Sequence, residues 1–332
     1  MKTAIVYHAN CNDGLAAAMV ATDELNKNNS IKDPIKIDYF EFNYNDCPIS
    51  FINKAKEKEY DKIYILDFSF DVPDLKLICQ CAKGDVVLID HHEGAIDKLK
   101  QFLESNDRPS NLKDILNVEY SGAILTWMYF NQNWVYDNVP LFLKYISDRD
   151  LWQWKLPLCR EFSAGINTLD RTITEWMEYY VLSVHSEHRD DAVNDPIKQI
   201  ISFGTPLIKF QDNMIDYCIK NNTIETMLTV ENNGIVLMPT PRGCTPIKMV
   251  NAPKPIGSDV CSKLLKSGYK VAIYYEVSEK GVKVGVRSSK DSGFNCNTFC
   301  QYFNGGGHEN AAGFHVQSVN ELVMLIDGFV PN

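Results

Sequence analysis

A chain of 332 residues exceeds the size at which one hydrophobic core usually stops growing, so two domains are the expectation. Its formal net charge of -10 argues against a protein that wraps long nucleic acid, yet leaves room for a short oligonucleotide or mononucleotide whose phosphates meet local cations and bound metals. Ten cysteines without paired spacing, no signal peptide ahead of them and no apolar run of the roughly 18–20 residues a membrane span needs together read as a reduced, cytoplasmic protein with no membrane partner.

The run Ala4-Ile5-Val6-Tyr7 predicts a first strand, and Leu15 to Ala21 predicts a helix of small residues packed tightly on a sheet. Between them lies His8-Ala9-Asn10-Cys11-Asn12-Asp13-Gly14, a polar turn at the carboxyl end of a strand, where open α/β sheets hold ligands. His8 and Asp13 are therefore candidate ligands; a turn histidine and a helix cap are their plainer roles. A second strand is expected over 35–42, a helix over 50–59 and a third strand over 62–66, after which Asp67 stands at a strand end as His8 does. A crossover helix over 75–81 leads to Val86-Val87-Leu88-Ile89 and then Asp90-His91-His92. Two adjacent histidines beside a carboxylate after a buried strand are suited to metal ligation, and three such polar clusters on successive strand ends strengthen that reading. Repeated strand, turn and helix units predict a mainly parallel sheet with helices on both faces.

Beyond His92 a partly helical crossover is expected over 96–106, and 111–117 is irregular or a short edge element. Helices follow over 121–129 and 141–147, the second running into Asp148-Arg149-Asp150-Leu151-Trp152, where both aspartates are potential ligands and Arg149 with the aromatics could equally build a packed surface. The segment from Leu156 to about residue 192 has a helical pattern, and 196–218 reads as a long helix with a break near Pro206, connecting the domains. These boundaries divide the chain into 1–192, a connector 193–222 and 223–332, the last a smaller mixed α/β domain with strands at 226–230, 234–239, 271–277 and 282–289 and a helix at 257–267. Arg287 ends one of those strands. Gly305-Gly306-Gly307-His308 would let backbone N–H groups approach an anion closely, with a tight turn as the alternative.

Taken in order, His8 to Gly14, Asp67, Asp90-His91-His92, Asp148 and Gly305 to His308 resemble the DHH phosphoesterase superfamily, in particular members with a DHHA1-type C-terminal domain such as oligoribonucleases and single-strand exonucleases. The resemblance implies a DHH domain holding two divalent ions, commonly Mn2+ with Mg2+ as the substitute, and a second domain that binds substrate. Carried over, His8, Asp13, Asp67, Asp90, His91 and Asp148 are the implied metal ligands, Asp67 bridging and Asp90 either ligating or holding a histidine ring. Asp67, Asp90, His91, His92 and His308 are the implied catalytic set. His92, Arg287, Gly306, Gly307 and His308 are the implied phosphate contacts. The first motif departs from relatives that carry two aspartates: it reads Cys11-Asn12-Asp13-Gly14, one carboxylate short, so that either His8, Asn12 and water make up the shell or one metal binds weakly and the substrate completes it. The expected reaction is phosphodiester hydrolysis of short RNA, dinucleotides or small nucleotides by metal-activated water, in a chain compatible with a homodimer. The alternatives are single-strand DNA cleavage, cyclic-dinucleotide hydrolysis and a catalytically weak nucleotide sensor.

Overall fold

Short strands that are apolar on both faces need a layer of helices on each side, and that requirement organises the first half of the chain. In this computed structural model, which describes residues 1–27, 34–44, 46–186, 195–231, 234–236, 245–318 and 320–322, five strands form one sheet. They are β1 (Lys2–His8), β2 (Lys36–Phe42), β3 (Lys62–Leu66), β4 (Asp85–Asp90) and β5 (Leu112–Leu116), in the order β2-β1-β3-β4-β5. Every neighbouring pair is parallel, with Val6 opposite both Phe40 and Ile65, and Ile65 opposite Leu88. The predicted edge element over 111–117 is β5.

Side chains alternate along β1: Ile5 and Tyr7 enter one helical layer, Ala4 and Val6 the other. The first layer contains α1 (Asn12–Lys27) and four helices from later in the chain. The second contains α2 (Ile49–Lys58), α3 (Val72–Cys81) and α4 (Glu93–Leu103), through Phe51, Leu75 and Phe102 among others. In α1, Ala16, Ala17 and Ala18 are wholly buried, so the helix packs closely against α5 (Gly122–Asn131). Helices α6 (Leu141–Asp150), α7 (Cys159–Ile166) and α8 (Ile173–Ser186) bring Phe142, Phe162 and Trp176 into the same core. The helical pattern expected from 156 onward is thus two helices with a turn between them; 187–192 lies outside the described residues. Helix α9 (Pro196–Asn221) runs unbroken through Pro206. Pro206 and Ser202, the residue whose carbonyl loses its partner, are both exposed, so water can satisfy that carbonyl and the break is avoided.

The chain divides into units Met1–Ile208 and Lys209–Asn332. The second holds β6 (Thr223–Glu231), β7 (Gly234–Val236), β8 (Thr245–Asn251), α10 (Lys254–Lys266), β9 (Val271–Ser278), β10 (Gly281–Ser288), α11 (Cys296–Gln301), β11 (Gly306–His308) and β12 (Ala311–Val316). Its sheet runs β11-β12-β10-β9-β8-β6-β7, antiparallel except for the β8–β9 pair. Residues 237–239 of the strand expected over 234–239 lie outside the described residues. Strands β8, β11 and β12 escape the sequence pattern because prolines, glycines and alanines carry weak strand preference, and pairing with neighbours decides their state. No described helix is long and apolar enough to cross a membrane.

Candidate metal centre

A sheet of order β2-β1-β3-β4-β5 reverses direction between β1 and β3, and ligands of open α/β sheets sit at the carboxyl ends flanking such a reversal. His8 ends β1 and Asp67 directly follows β3 at that point, while Asp90, His91 and His92 end β4 next door. Asp67 adopts φ 55°, a left-handed conformation costing a residue with a side chain roughly 1–2 kcal/mol. Its own N–H donates to the Ile89 carbonyl across to β4 at 2.8 Å, which holds that turn in place. Two further carboxylates arrive from helices: Asp13 from the first turn of α1 and Asp150 from the end of α6.

The groups converge on Asp67. Nε2 of His91 lies 3.0 Å from Asp67 Oδ1, 3.4 Å from Asp150 Oδ2 and 3.8 Å from Asp13 Oδ2. On the other side, Nδ1 of His8 lies 3.6 Å from Asp67 Oδ2, and Nδ1 of His92 lies 3.9 Å from Asp67 Oδ1. Two sets of three result, His8 with Asp67 and His92, and Asp13 with Asp67 and His91; in each the ligand atoms lie within 4.8 Å of one another. Asp67 belongs to both. Helix α5 closes the floor, with the Ala123 N–H 3.3 Å from each oxygen of Asp13. A Cβ at Gly122 would stand 2.6 Å from the Cβ of Asp67 and 2.9 Å from its Oδ1, so only glycine lets the helix start so near.

Asp67 has no solvent exposure, and its oxygens make no hydrogen bond of good geometry, only close contacts to the His8, His91 and His92 nitrogens; Nδ1 of His8 and Nε2 of His91 are likewise buried with no hydrogen bond. Buried carboxylates are ordinarily paired or coordinate a metal, because an isolated buried charge costs several kcal/mol. Carboxylate oxygens and imidazole nitrogens turned on a common point fit a divalent cation such as Mn2+ or Mg2+. The charge balance agrees. Burial, then Asp67 and Asp150, push the Asp13 carboxyl well above the usual range, and burial with Asp67 pushes Asp150 upward. Burial also pushes on Asp67, but the His8 and His91 imidazoles outweigh it and hold that carboxyl below the usual range. Burial would lower His91, yet Asp67, Asp13 and Asp150 carry it up to about 9. The centre therefore has surplus negative charge and retains a proton where a cation would serve.

Asp90 does a different job. Its Oδ1 accepts from the His91 and His92 N–H groups at 2.7 and 3.2 Å and from Nδ1 of His92 at 2.7 Å, while Oδ2 accepts from the Ser69 hydroxyl at 2.5 Å. Its oxygens accept from the histidines and Ser69, an arrangement that fits the ring-holding role of the two implied by the sequence. A carboxylate can only accept, so the His92 proton sits on Nδ1 and Nε2 is its free nitrogen. Ser69 itself left no recognisable sequence signal.

Asp148, expected as a ligand, points elsewhere. Its oxygens accept from the Lys155 and Leu156 N–H groups at 2.9 and 3.0 Å, and its carbonyl from the Gln153 N–H at 2.9 Å. Two residues later, more than half a helical turn on, Asp150 reaches His91 instead. Asp150→Asn is expected to weaken divalent-ion binding about tenfold or more with little change in melting temperature. Asp148→Ala, which leaves two N–H donors without their charged acceptor, is expected to destabilise the fold by about 2–4 kcal/mol. Denaturant unfolding and metal titration of both variants check this division.

In the second unit, β10 and β12 pair Arg287 with Ala311, and β12 and β11 pair Ala311 with His308, so Arg287 and His308 occupy one end of the sheet on either side of β12. The Arg287 guanidinium donates to the Ser258 hydroxyl at 2.9 Å, and His308 is exposed. Of the glycine run, Gly305 precedes β11, and Gly306 and Gly307 lie within it. Gly307 has φ 150° and no room for a Cβ, which would lie 2.6 Å from the Ala311 carbonyl oxygen, and its N–H donates to Asn297 Oδ1 at 3.0 Å.

Residues 251–331 match the family model of the DHHA1 domain. Over 317 residues, 93% of this chain, the sequence is 23% identical to an uncharacterised protein of Acanthamoeba polyphaga mimivirus, of whose length the match spans 66%, just under two thirds. Among solved structures, an exopolyphosphatase-related protein from Bacteroides fragilis superposes with a TM-score of 0.51 at 14% identity, over 98% of this chain and 90% of that one. A pGpG-specific phosphodiesterase from Vibrio cholerae gives 0.49 at 12% identity, over 97% and 95%. At 14% identity the likeness to the Bacteroides fragilis protein is one of fold.

Proposed function

We propose that this chain, a member of the DHH/DHHA1 superfamily, is a divalent-metal-dependent phosphoesterase that hydrolyses the phosphodiester of short oligonucleotides or small nucleotides. The observation that carries the reading is Asp67: wholly buried, without a hydrogen bond of good geometry on either oxygen, and common to both ligand sets. His8 and His92 would hold one ion with it, and Asp13 and His91 the other, with Asp150 beside His91 offsetting the carboxylate that the first motif lacks. Bound there, divalent ions polarise phosphoryl oxygens and acidify water.

The remaining work falls to the side chains. Burial opposes the charged form of His92, but its hydrogen bond to Asp90 together with the charges of Asp90 and Asp67 outweighs this and raises its pKa, which favours a proton on Nε2. That nitrogen either takes the ion or donates to a phosphoryl or leaving oxygen. Arg287 and His308 are assigned to the substrate phosphate. Arg287 has no carboxylate partner among the described ion pairs, which leaves its charge available to an anion. The net charge of -10 favours a small substrate over a long polyanion.

The test is a panel of dinucleotides, longer RNA, single-strand DNA, cyclic dinucleotides and adenosine bisphosphate, incubated with Mn2+ and resolved by product length and end chemistry. Hydrolysis centred on dinucleotides and short RNA is the expected result. Cleavage confined to long single-strand DNA contradicts the substrate assignment, and absence of both turnover and metal binding contradicts the assignment as an enzyme.

A further inference from the structure

In the second unit, Arg287 stands on β10 two residues beyond Gly285, so the two share one face of the sheet. Opposite Gly285 in the ladder is Tyr274 of β9, whose ring packs in the layer between the sheet and α10. A Cβ at Gly285 would stand 2.1 Å from that ring, and one at Gly257 of α10 would stand 2.3 Å from it. Two elements thus leave out a side chain at the places where one aromatic ring needs the room. The Arg287 guanidinium lies over the same ring, 5.9 Å from its centroid. Its Nη1 donates to the Val286 and Ala312 carbonyls at 2.9 and 3.4 Å, and its Nη2 donates at 2.9 Å to the hydroxyl of Ser258, the residue after Gly257. Nε–H and one N–H of Nη2 are left without a hydrogen-bond partner among the described residues, a pair of donors suited to a phosphate. An arginine already held in one rotamer loses less freedom when it grips an anion.

We infer that Ser258 and Tyr274 are positioning residues, which hold the Arg287 guanidinium ready for a phosphoryl group of the substrate. Ser258 fixes one nitrogen of the fork, and the Tyr274 ring supports the guanidinium from below. Both act through Arg287. The inference rests on the assignment of Arg287 to the substrate phosphate and extends it to two residues that carry no role in that assignment.

Side-chain order is the first readout. The Arg287 Nε–H resonance of the full chain, identified in a proton–nitrogen correlation spectrum by its absence in Arg287→Gln, is expected to be rigid in wild type. It is expected to lose order in Ser258→Ala and in Tyr274→Leu, and to recover in Tyr274→Phe, which keeps the ring. Binding is the second readout, measured by calorimetry with a dinucleotide and protein in chelator. The affinity is expected to fall by about threefold to tenfold in Ser258→Ala and by about threefold in Tyr274→Leu. In an Arg287→Gln background neither substitution is expected to weaken binding further, because each acts through the guanidinium. With Mn2+ present, KM is expected to rise by the same factors while kcat stays within about twofold. Melting curves establish that each variant is folded. Unchanged order at Arg287 in folded Ser258→Ala and Tyr274→Leu overturns the inference, as does wild type that binds no dinucleotide. A loss of affinity that persists in full when Arg287 is already Gln assigns both residues to packing alone. Binding that follows the expected cycle in a protein without turnover removes the phosphoesterase reading and leaves Ser258 and Tyr274 in place.

Discussion

Asp67→Asn is expected to yield a folded protein whose turnover falls by at least about 10³-fold, equivalent to about 4 kcal/mol of transition-state stabilisation. The size follows from position. Asp67 is the residue common to both ligand sets, so its loss impairs two ions together, whereas Asp150→Asn touches one edge of one set. The amide keeps the shape that fits against Gly122, so folding is preserved. Circular dichroism and denaturant unfolding establish the fold, and turnover with Mn2+ measures the loss. A folded variant with near-normal turnover would remove Asp67 from the mechanism.

The second large effect is linkage between metal, protons and stability. His91 is raised to about 9 and Asp13 is raised, in both cases through burial and neighbouring carboxylates that outweigh or reinforce it. For a group whose folded pKa lies above its unfolded value, the stabilisation is full below the unfolded pKa and is lost as pH rises through the folded one. The metal-free protein is therefore expected to lose stability from His91 as pH climbs from about 6.5 to about 9. Ion binding runs the other way, because ligands must shed those protons. Mn2+ affinity is expected to tighten over the same window, by up to about tenfold per pH unit for each proton displaced. At free ion a hundredfold above Kd the gain is about 2.7 kcal/mol, a rise in melting temperature of roughly 5–10 °C for a unit of this size. Melting curves at pH 6, 7, 8 and 9 with Mn2+ or chelator provide the check: the gap between the two conditions should widen with pH, and a constant or narrowing gap contradicts the proton count.

The centre of the parallel sheet was legible because β1, β3 and β4 are apolar on both faces and end in polar turns, where each delivers its candidate ligands. His8, Asp13, Asp67 and His91 meet as their strand-end positions imply. Asp148 and Asp150 could not be separated by sequence. Both carboxylates lie near the end of one helix, and the choice turns on a loop with left-handed Trp152, Trp154 and Leu158 that folds back on Asp148. Asp90 illustrates the same limit: its ring-holding role depends on Ser69 and on the His92 rotamer, neither written in spacing. In the second unit, β11 and β12 are strands through pairing, since Gly306, Gly307, Ala311 and Ala312 have no preference strong enough to announce them.

Asp67 as a bridge between two cations is the centre of this account, and crystals equilibrated with Mn2+ test it through anomalous scattering at the manganese edge. Two peaks are expected, each in contact with a different Asp67 oxygen, one also within reach of His8 and the other of Asp13 and His91. No ordered ion at Asp67, or a single ion that leaves one of its oxygens without a partner, would contradict it.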